Sequence, residues 1–196
     1  ASKESNWENF IVADISSNSV NILIEDKKIK GAIDACLGAM GVVHGPIDLE
    51  MIRDIDEGRA SANDCFSHAG AIKIVGIDDK VANIKNKLLK NYAAGDKKAK
   101  LAIDTLIMTV AMEIAGLDIV CNNKIDGIIL TGSIGSIKKP FDFEKEINKY
   151  FKDKYSLKVI SKESGAIGAA QIARDVYGGK KDILGDRKST RLNSSH

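Results

Sequence analysis

The sequence predicts an α/β protein: a five-stranded mixed sheet with helices on both faces and an inserted helical segment. Three observations lead there. Three short apolar runs follow one another between residues 10 and 34, separated only by turn residues, as in an antiparallel meander. After a glycine-rich and helical insertion comes the longest helical period, Lys97 to Val120. Two further short strands then each lead into a helix.

Phe10-Ile-Val-Ala-Asp14 is an apolar strand ending in a carboxylate. Ile15 to Asn18 is turn-like, and Ser19 to Glu25 is a second strand with Val20, Ile22 and Ile24 alternating. Asp26-Lys27-Lys28 turns the chain into a third strand, Ile29 to Asp34. Ala35 to Gly45 holds Gly38, Gly41 and Gly45 and reads as a loop or a tightly packed segment. Pro46 opens a helix containing Leu49, Met51, Ile52 and Ile55 and stopped near Gly58. Ser61 to Ala69 reads as a short helix ended by Gly70, and Ala71 to Val75 as one more short strand. Val81 to Tyr92 is a helix with Val81, Ile84 and Leu88 on one side and lysines on the other.

In the long helix, Ala99, Ala102, Ile103, Leu106, Val110, Ile114 and Leu117 fall at helical spacing, and Thr105, Thr109 and Glu113 lie on another side. The run Ile128-Ile-Leu130 then suits a strand covered on both faces. Phe143 to Lys152 is amphipathic through Ile147, Tyr150 and Phe151, and Leu157 to Ile160 is the last strand. Ser164 to Tyr177 is a helix capped by Ser164 and closed by Gly178-Gly179.

The end of the chain is expected to be foreign. Asp186 to His196 has no apolar period, only Leu192 is apolar, and back-translation matches one frame of a common short-read sequencing adapter. The chain opens at Ala1 and not at Met, so the natural start is expected upstream. The formal charge is +2, and Arg187, Lys188 and Arg191 against Asp186 supply all of it. Residues 1–185 are then neutral, which argues against nucleic acid or an anionic membrane as partner. Three cysteines, Cys36, Cys65 and Cys121, suit a reducing cytoplasm better than a disulfide scaffold. The most apolar stretch, Leu101 to Met112, contains Asp104 and falls short of the about 20 residues a bilayer requires.

Several patterns carry chemistry. Thr131-Gly-Ser-Ile-Gly-Ser136 has two glycines three apart and three hydroxyls. Glycines there admit a ligand close to the backbone, and exposed N–H groups hold phosphate oxygens; the alternative is a plain turn at a strand end. Asp14 is followed by Ser16, Ser17 and Asn18 on a turn that can aim several donors at one phosphate, while its carboxylate serves a metal or its waters. The alternative for Asp14 is a turn-forming Asx residue. Gly165-Ala166 and Gly168-Ala-Ala170 place little bulk at a helix start, which suits a nucleotide or plain helix packing. Asp34 and His44 flank the glycine-rich loop: one reads as a general base or metal contact and the other as a phosphate-binding group, or both simply stabilise the loop. Arg53 can bind an anion or form a surface ion pair. Cys36, His44, Cys65 and His68 lack the tight Cys-x-x-Cys pairs of structural zinc, so no metal site of that kind is expected.

The element order β-β-β-α-β-α-β-α is that of a ribonuclease-H-like domain, two of which face each other in actin-like ATPases and in sugar and acetate kinases. Asp14-Ile-Ser-Ser-Asn-Ser-Val20 is similar to that superfamily's phosphate hairpin. Leu130-Thr-Gly-Ser-Ile-Gly135 is similar to its adenosine motif, with Ser133 where a second adjacent glycine is usual. Glu163-Ser-Gly-Ala-Ile-Gly168 resembles the start of its last nucleotide-contacting helix. That string, together with Phe10 to Asn18, Gly45-Pro-Ile-Asp-Leu-Glu-Met-Ile-Arg53 and Gly179-Lys-Lys-Asp-Ile-Leu-Gly185, resembles the methanogenesis marker twelve family of methanogenic archaea over residues 9–185.

The resemblance implies an archaeal, cytoplasmic protein related to acetate and butyrate kinases. Residues 1–185 would be its second, C-terminal lobe, with the N-terminal lobe outside this sequence. It implies ATP and Mg as cofactors, an unidentified small-molecule acceptor and a homodimer. The implied catalytic residues are Asp14 and Asp34, and His44 would bind substrate. Ser16, Ser17, Asn18, Gly132, Ser133, Gly135, Ser136, Glu163, Ser164 and Gly165 would bind the nucleotide. The function is then an ATP-dependent phosphotransferase or ATPase linked to methanogenesis, or a non-catalytic nucleotide-dependent regulatory or assembly protein that uses lobe closure as a switch. A single lobe leaves the site open to water, so this chain alone is expected to bind adenine nucleotide weakly and to turn over none.

Removing residues 186–196 should leave the thermal unfolding midpoint unchanged within error; a drop in the midpoint would make the segment part of the fold.

Overall fold

The computed structural model describes residue 1 and residues 5–180, so the expected foreign tail lies outside the described residues. Strands β1 (Phe10–Ile15), β2 (Ser19–Glu25) and β3 (Lys28–Asp34) form the expected meander, and β4 (Gly127–Thr131) and β5 (Ser156–Val159) follow much later. They pair in the order β3-β2-β1-β4-β5. β2 is antiparallel to both β1 and β3, while β1–β4 and β4–β5 are parallel. The two antiparallel links need only short turns; that between β2 and β3 is Asp26-Lys27, both at positive φ, the backbone a tight hairpin demands. Returning from β3 to a strand parallel to β1 instead needs a long crossover.

That crossover holds the inserted helices α1 (Leu49–Asp56), α2 (Ala62–Phe66), α3 (Ala71–Val75) and α4 (Val81–Ala93), and then α5 (Lys97–Val120). Asp96 starts α5 by accepting the Ala99 N–H at 2.7 Å. The seven apolar residues that the sequence places on one stripe are all buried. They join Ile11, Ala13, Ile15, Leu23, Ile128 and Leu130, the alternate residues of the central strands, in one core. Ile72, Ile84 and Leu88 of the insertion extend that core, as do Phe143 and Ile147 of α7 (Phe143–Phe151).

The opposite face of the sheet is thinner. Phe10, Ile24 and Ile129 form a small buried cluster with Trp7, Val12, Ile22 and Ile160 around it. The last helix, α8 (Ser164–Tyr177), lies over this face but buries none of its own residues. A cavity of about 690 Å³ separates it from Phe10, Val12, Ile22, Ile24 and Ile29. Among the described residues, no helix is long and apolar enough to cross a membrane.

Several local expectations need correction. Ala71 to Val75 is a helical turn and not a strand. The N–H groups of Ala71 and Ile72 donate to Gly41 and Val42 carbonyls, and Gly76 at φ +72° stops the turn, so packing overrides the β-branched composition. The helix expected from Pro46 starts at Leu49, where Asp48 accepts the Met51 N–H at 3.0 Å. The helix expected over 61–69 covers only Ala62–Phe66, with Ser61 as its cap. Thr131 to Ser136 is one helical turn, α6 (Gly132–Gly135), and not an open loop. Ser164 is the first residue of α8 and not its cap: Glu163 holds the cap position, with no side-chain cap bond.

Leu106 is fully buried under the sheet and Met112 of the same helix is exposed. Leu106→Ala should lower the stability of this chain by roughly 2–5 kcal/mol. Met112→Ala should change it by no more than about 0.5 kcal/mol. Chemical denaturation of both variants checks the assigned faces of α5.

Candidate functional site at the switch point of the sheet

The chain leaves β1 toward β2 on one side and leaves β4 toward β5 on the other. Neighbouring parallel strands whose connections diverge leave a crevice at their carboxyl ends, the place where open α/β sheets take ligands. Asp14 and Thr131 are register partners at those ends. The two turns singled out from the sequence are therefore adjacent, although they lie more than a hundred residues apart.

The contact is direct. The Ser133 N–H donates to Ser16 Oγ at 2.9 Å, and Ser16 Oγ donates to Asp14 Oδ1 at 3.4 Å. Gly132 makes the approach feasible. It sits at φ +87°, and a Cβ there would fall 2.3 Å from the Ile15 carbonyl oxygen and 2.4 Å from Asp14 Oδ1. The missing side chain of Gly135 faces Ile15 instead, so that glycine lets α6 settle on β1. The Ser136 hydroxyl is used within its own turn, donating to the Gly132 carbonyl at 2.6 Å.

Asp14 is half-buried, and burial pushes its carboxyl above the usual range, with the Ser16 hydrogen bond opposing. The turn after it is held from behind. The Ser16 carbonyl accepts the Val42 N–H at 3.1 Å, and the Ser17 carbonyl accepts the Val43 and His44 N–H groups, each at 2.9 Å. This places His44 beside the turn, with its ring stacked on Phe66 at 4.8 Å. Ser16 N–H closes the turn on the Asn18 carbonyl at 2.8 Å.

The third stretch joins through β4 and β5. Thr131 Oγ1 donates to the Ser161 carbonyl at 2.9 Å, and the Ile160 N–H donates to the Leu130 carbonyl at 2.9 Å. The Ser161 carbonyl also receives the Ser164 hydroxyl, and the Ser161 hydroxyl donates to the Glu163 carboxylate. The start of α8 thus stands beside the same edge. Asp14, Thr131, Ser164, Gly165 and Gly168 line one end of the cavity under α8. A Cβ on Gly165 or on Gly168 would meet nothing within 4 Å, so neither glycine is explained by helix packing among the described residues.

Asp34 is the candidate that joins least. It stands at the end of β3 and its carboxylate accepts the next N–H, that of Ala35, at 2.7 Å. The described side chains include no cluster of three or more His, Cys, Asp or Glu fit to hold a metal ion. The sequence counts the Thr131 hydroxyl in the glycine pattern but gives it no role of its own. It set Glu113 on a side of the long helix away from the apolar stripe, whereas the structure buries that carboxylate with the stripe, between Val110 and Leu117.

Comparison with known proteins sets these features in context. No family model matches the chain. It is similar to UPF0285 proteins of methanogens. It is 53% identical over 182 residues to one from Methanothermobacter thermautotrophicus, covering 93% of this chain and 54% of that protein. It is 48% identical over 179 residues to one from Methanocaldococcus jannaschii, with 91% and 54% covered. The chain thus spans about half the length of the curated relatives it matches. Among solved structures it resembles a propionate kinase from Francisella tularensis, with a TM-score of 0.62 and 22% identity over 78% of this chain and 46% of that one. An acetate kinase from Porphyromonas gingivalis matches with a TM-score of 0.61 and 12% identity over 79% and 45%. At these identities the likeness establishes the fold: the mixed sheet and its helices are those of the acetate kinase and actin-like ATPase architecture.

Two glycine substitutions should separate backbone need from open space. Gly132→Ala forces a side chain into a left-handed position and onto β1, and should destabilise by more than about 1 kcal/mol. Gly168→Ala, inside a helix with nothing to strike, should stabilise by about 0.5–1 kcal/mol. Thermal melts of the two variants measure both.

Proposed function

We propose that this chain is one lobe of a two-lobed nucleotide-binding protein, with the nucleotide phosphates held at the Asp14–Asn18 and Gly132–Ser136 turns. The observation that carries the reading is the link from Ser133 through Ser16 to Asp14, which joins two glycine- and hydroxyl-rich turns at the switch point of the sheet. The fold shared with acetate and propionate kinases supports it. The half-length match to the relatives supports a facing lobe in the remaining half.

In this reading the Ser17 and Asn18 N–H groups and the Ser133 hydroxyl meet phosphate oxygens. The nucleoside lies toward the cavity bordered by Ser164, Gly165 and Gly168, just after Glu163 at the cap position of α8. A magnesium ion that keeps waters and phosphate oxygens needs only one or two carboxylates, so Asp14 fits it, directly or through water. The magnesium would supply neutralisation of phosphate charge. Asp14 would hold it at the floor of the site, and the two turns would orient the phosphates without reorganisation. Transfer of a phosphoryl group to a small acceptor, or to water, is the chemistry this arrangement serves, with His44 at the acceptor side of the turn.

A second reading is a nucleotide-dependent switch with little turnover. What favours it is the state of the acceptor-side groups: the Asp34 carboxylate is spent on its own loop and the His44 ring is stacked on Phe66.

The two properties of Asp14 give a paired test. Its folded pKa lies above the ordinary value of 3.8, so its contribution to stability is full below that pH and is lost as pH rises through the raised value. Asp14→Asn should therefore keep or raise the melting temperature at pH 7 while weakening Mg–ATP binding of the full-length protein at least about tenfold. Gly165→Val should weaken binding with the fold intact. Calorimetric titration decides, and wild-type affinity in both variants would remove these residues from the site.

A further inference from the structure

We infer that Glu113, on the helix behind the sheet, is a positioning residue for the phosphate-binding turn. It acts through the glycine-rich loop 35–45, and the inference rests on the nucleotide reading of that turn. Glu113 lies within α5 among residues that pack under the sheet, and its side chain is buried. No ion pair to it is present among the described residues. Instead its two carboxylate oxygens take donors from two different segments: Oε1 accepts the Ala39 N–H of the loop, and Oε2 accepts Nδ2 of the fully buried Asn21 on β2.

The surroundings are shaped for this carboxylate. A Cβ on Gly38 would overlap Glu113 Oε1 and come within 2.9 Å of an Ile33 methyl carbon, so the glycine leaves the carboxylate its place. The next residues carry the constraint forward. The Met40 carbonyl accepts the Ser19 hydroxyl at 2.9 Å, and a Cβ on Gly41 would strike the Asn18 backbone and the Ser17 carbonyl. Val42, Val43 and His44 then occupy the Ser16 and Ser17 carbonyls. The Ser16 and Ser17 carbonyls are thus held on the loop side, which leaves the Ser17 and Asn18 N–H groups for a ligand. Glu113 anchors the start of the strap that does this. Burial raises its carboxyl above the usual range, and the nearby Asp34 carboxylate adds to that rise, while the two donors oppose it. An uncompensated carboxylate kept in such a place is poor for stability, which fits a group retained for geometry.

A neutral replacement of the same shape can do the same work. In Glu113→Gln, the amide oxygen takes the Ala39 N–H, and Nε2 donates to Asn21 Oδ1 once that amide rotates. Asn21 Oδ1 is a buried acceptor with no partner among the described residues, so the rotation satisfies that oxygen and moves the unpartnered position to Nδ2. Glu113→Ala offers no acceptor and strands a buried N–H.

The test compares wild type, Glu113→Gln, Glu113→Ala and Gly38→Ala in the full-length protein, by amide exchange and by Mg–ATP titration. In Glu113→Ala and Gly38→Ala, amides 39–44 should exchange at least about tenfold faster while those of β1 and α5 keep wild-type protection, and the Mg–ATP Kd should rise about tenfold or more. Glu113→Gln should stay within about twofold of wild type in both readouts. Gly38→Ala displaces the carboxylate without removing it, so it carries the test if Glu113→Ala does not fold. Wild-type affinity in a folded Glu113→Ala, or a Glu113→Gln as weak as Glu113→Ala, would overturn the inference. A wild type that does not respond to Mg–ATP would instead sink the nucleotide reading. In that case, unchanged exchange at 39–44 in Glu113→Ala would also end the anchoring role.

Discussion

The parallel ladder between β1 and β4 is the constraint on which the rest of this structure depends. Parallel neighbours cannot be joined by a tight turn, so everything between β3 and β4 has to travel out, cover one face of the sheet and return. α5 is that return. Its apolar stripe fits the alternate residues of β1, β2 and β4 because these strands all project the same parity toward it. The ladder also aligns the carboxyl ends of two strands that then diverge, which puts Asp14 and Gly132 into contact. Local sequence sets each turn, and the ladder makes them one site.

Much of this was legible because the strands announce themselves by alternation and the long helix by its period. Val20, Ile22 and Ile24, or Ala99 through Leu117, leave little room for another reading. Ala71 to Val75 was misread for a physical reason. Five residues with three β-branched side chains fit a strand or one helical turn equally well, and the choice was made by carbonyls of the distant segment Gly41-Val42. Asp34 looked equivalent to Asp14, since each ends a strand before a turn. They differ in what the turn does next: Asp34 caps its own loop, while Asp14 is met by Ser16 and the α6 turn. Glu113 was placed off the stripe, yet it follows Leu106 and Val110 at helical spacing, and a carboxylate there asks for donors. Its partners, Asn21 and Ala39, were not deducible without the fold.

The two faces of the sheet are unequal, and the difference follows from side-chain volume. The α5 face receives a helix whose large aliphatic residues reach the strands. The other face receives α8, whose sheet-facing residues include Gly165, Gly168 and Ala169, too small to fill the space above Phe10, Val12 and Ile24. Small residues on a helix face reduce packing, and glycine also lowers helix propensity. Here the loss falls beside the candidate phosphate site, where an open wall serves a ligand. The α5 face, with its continuous apolar core, carries the stability that such an opening removes.

The central claim is that nucleotide phosphates rest against the switch-point edge of this lobe. The most direct measurement is a crystal structure of the full-length protein with magnesium and a non-hydrolysable ATP analogue. The account predicts phosphate oxygens about 3 Å from the Ser17 and Asn18 N–H groups and from Ser133, with the base toward Gly165 and Gly168. An analogue bound elsewhere, with Asp14 and both turns making no contact to it, would contradict the account.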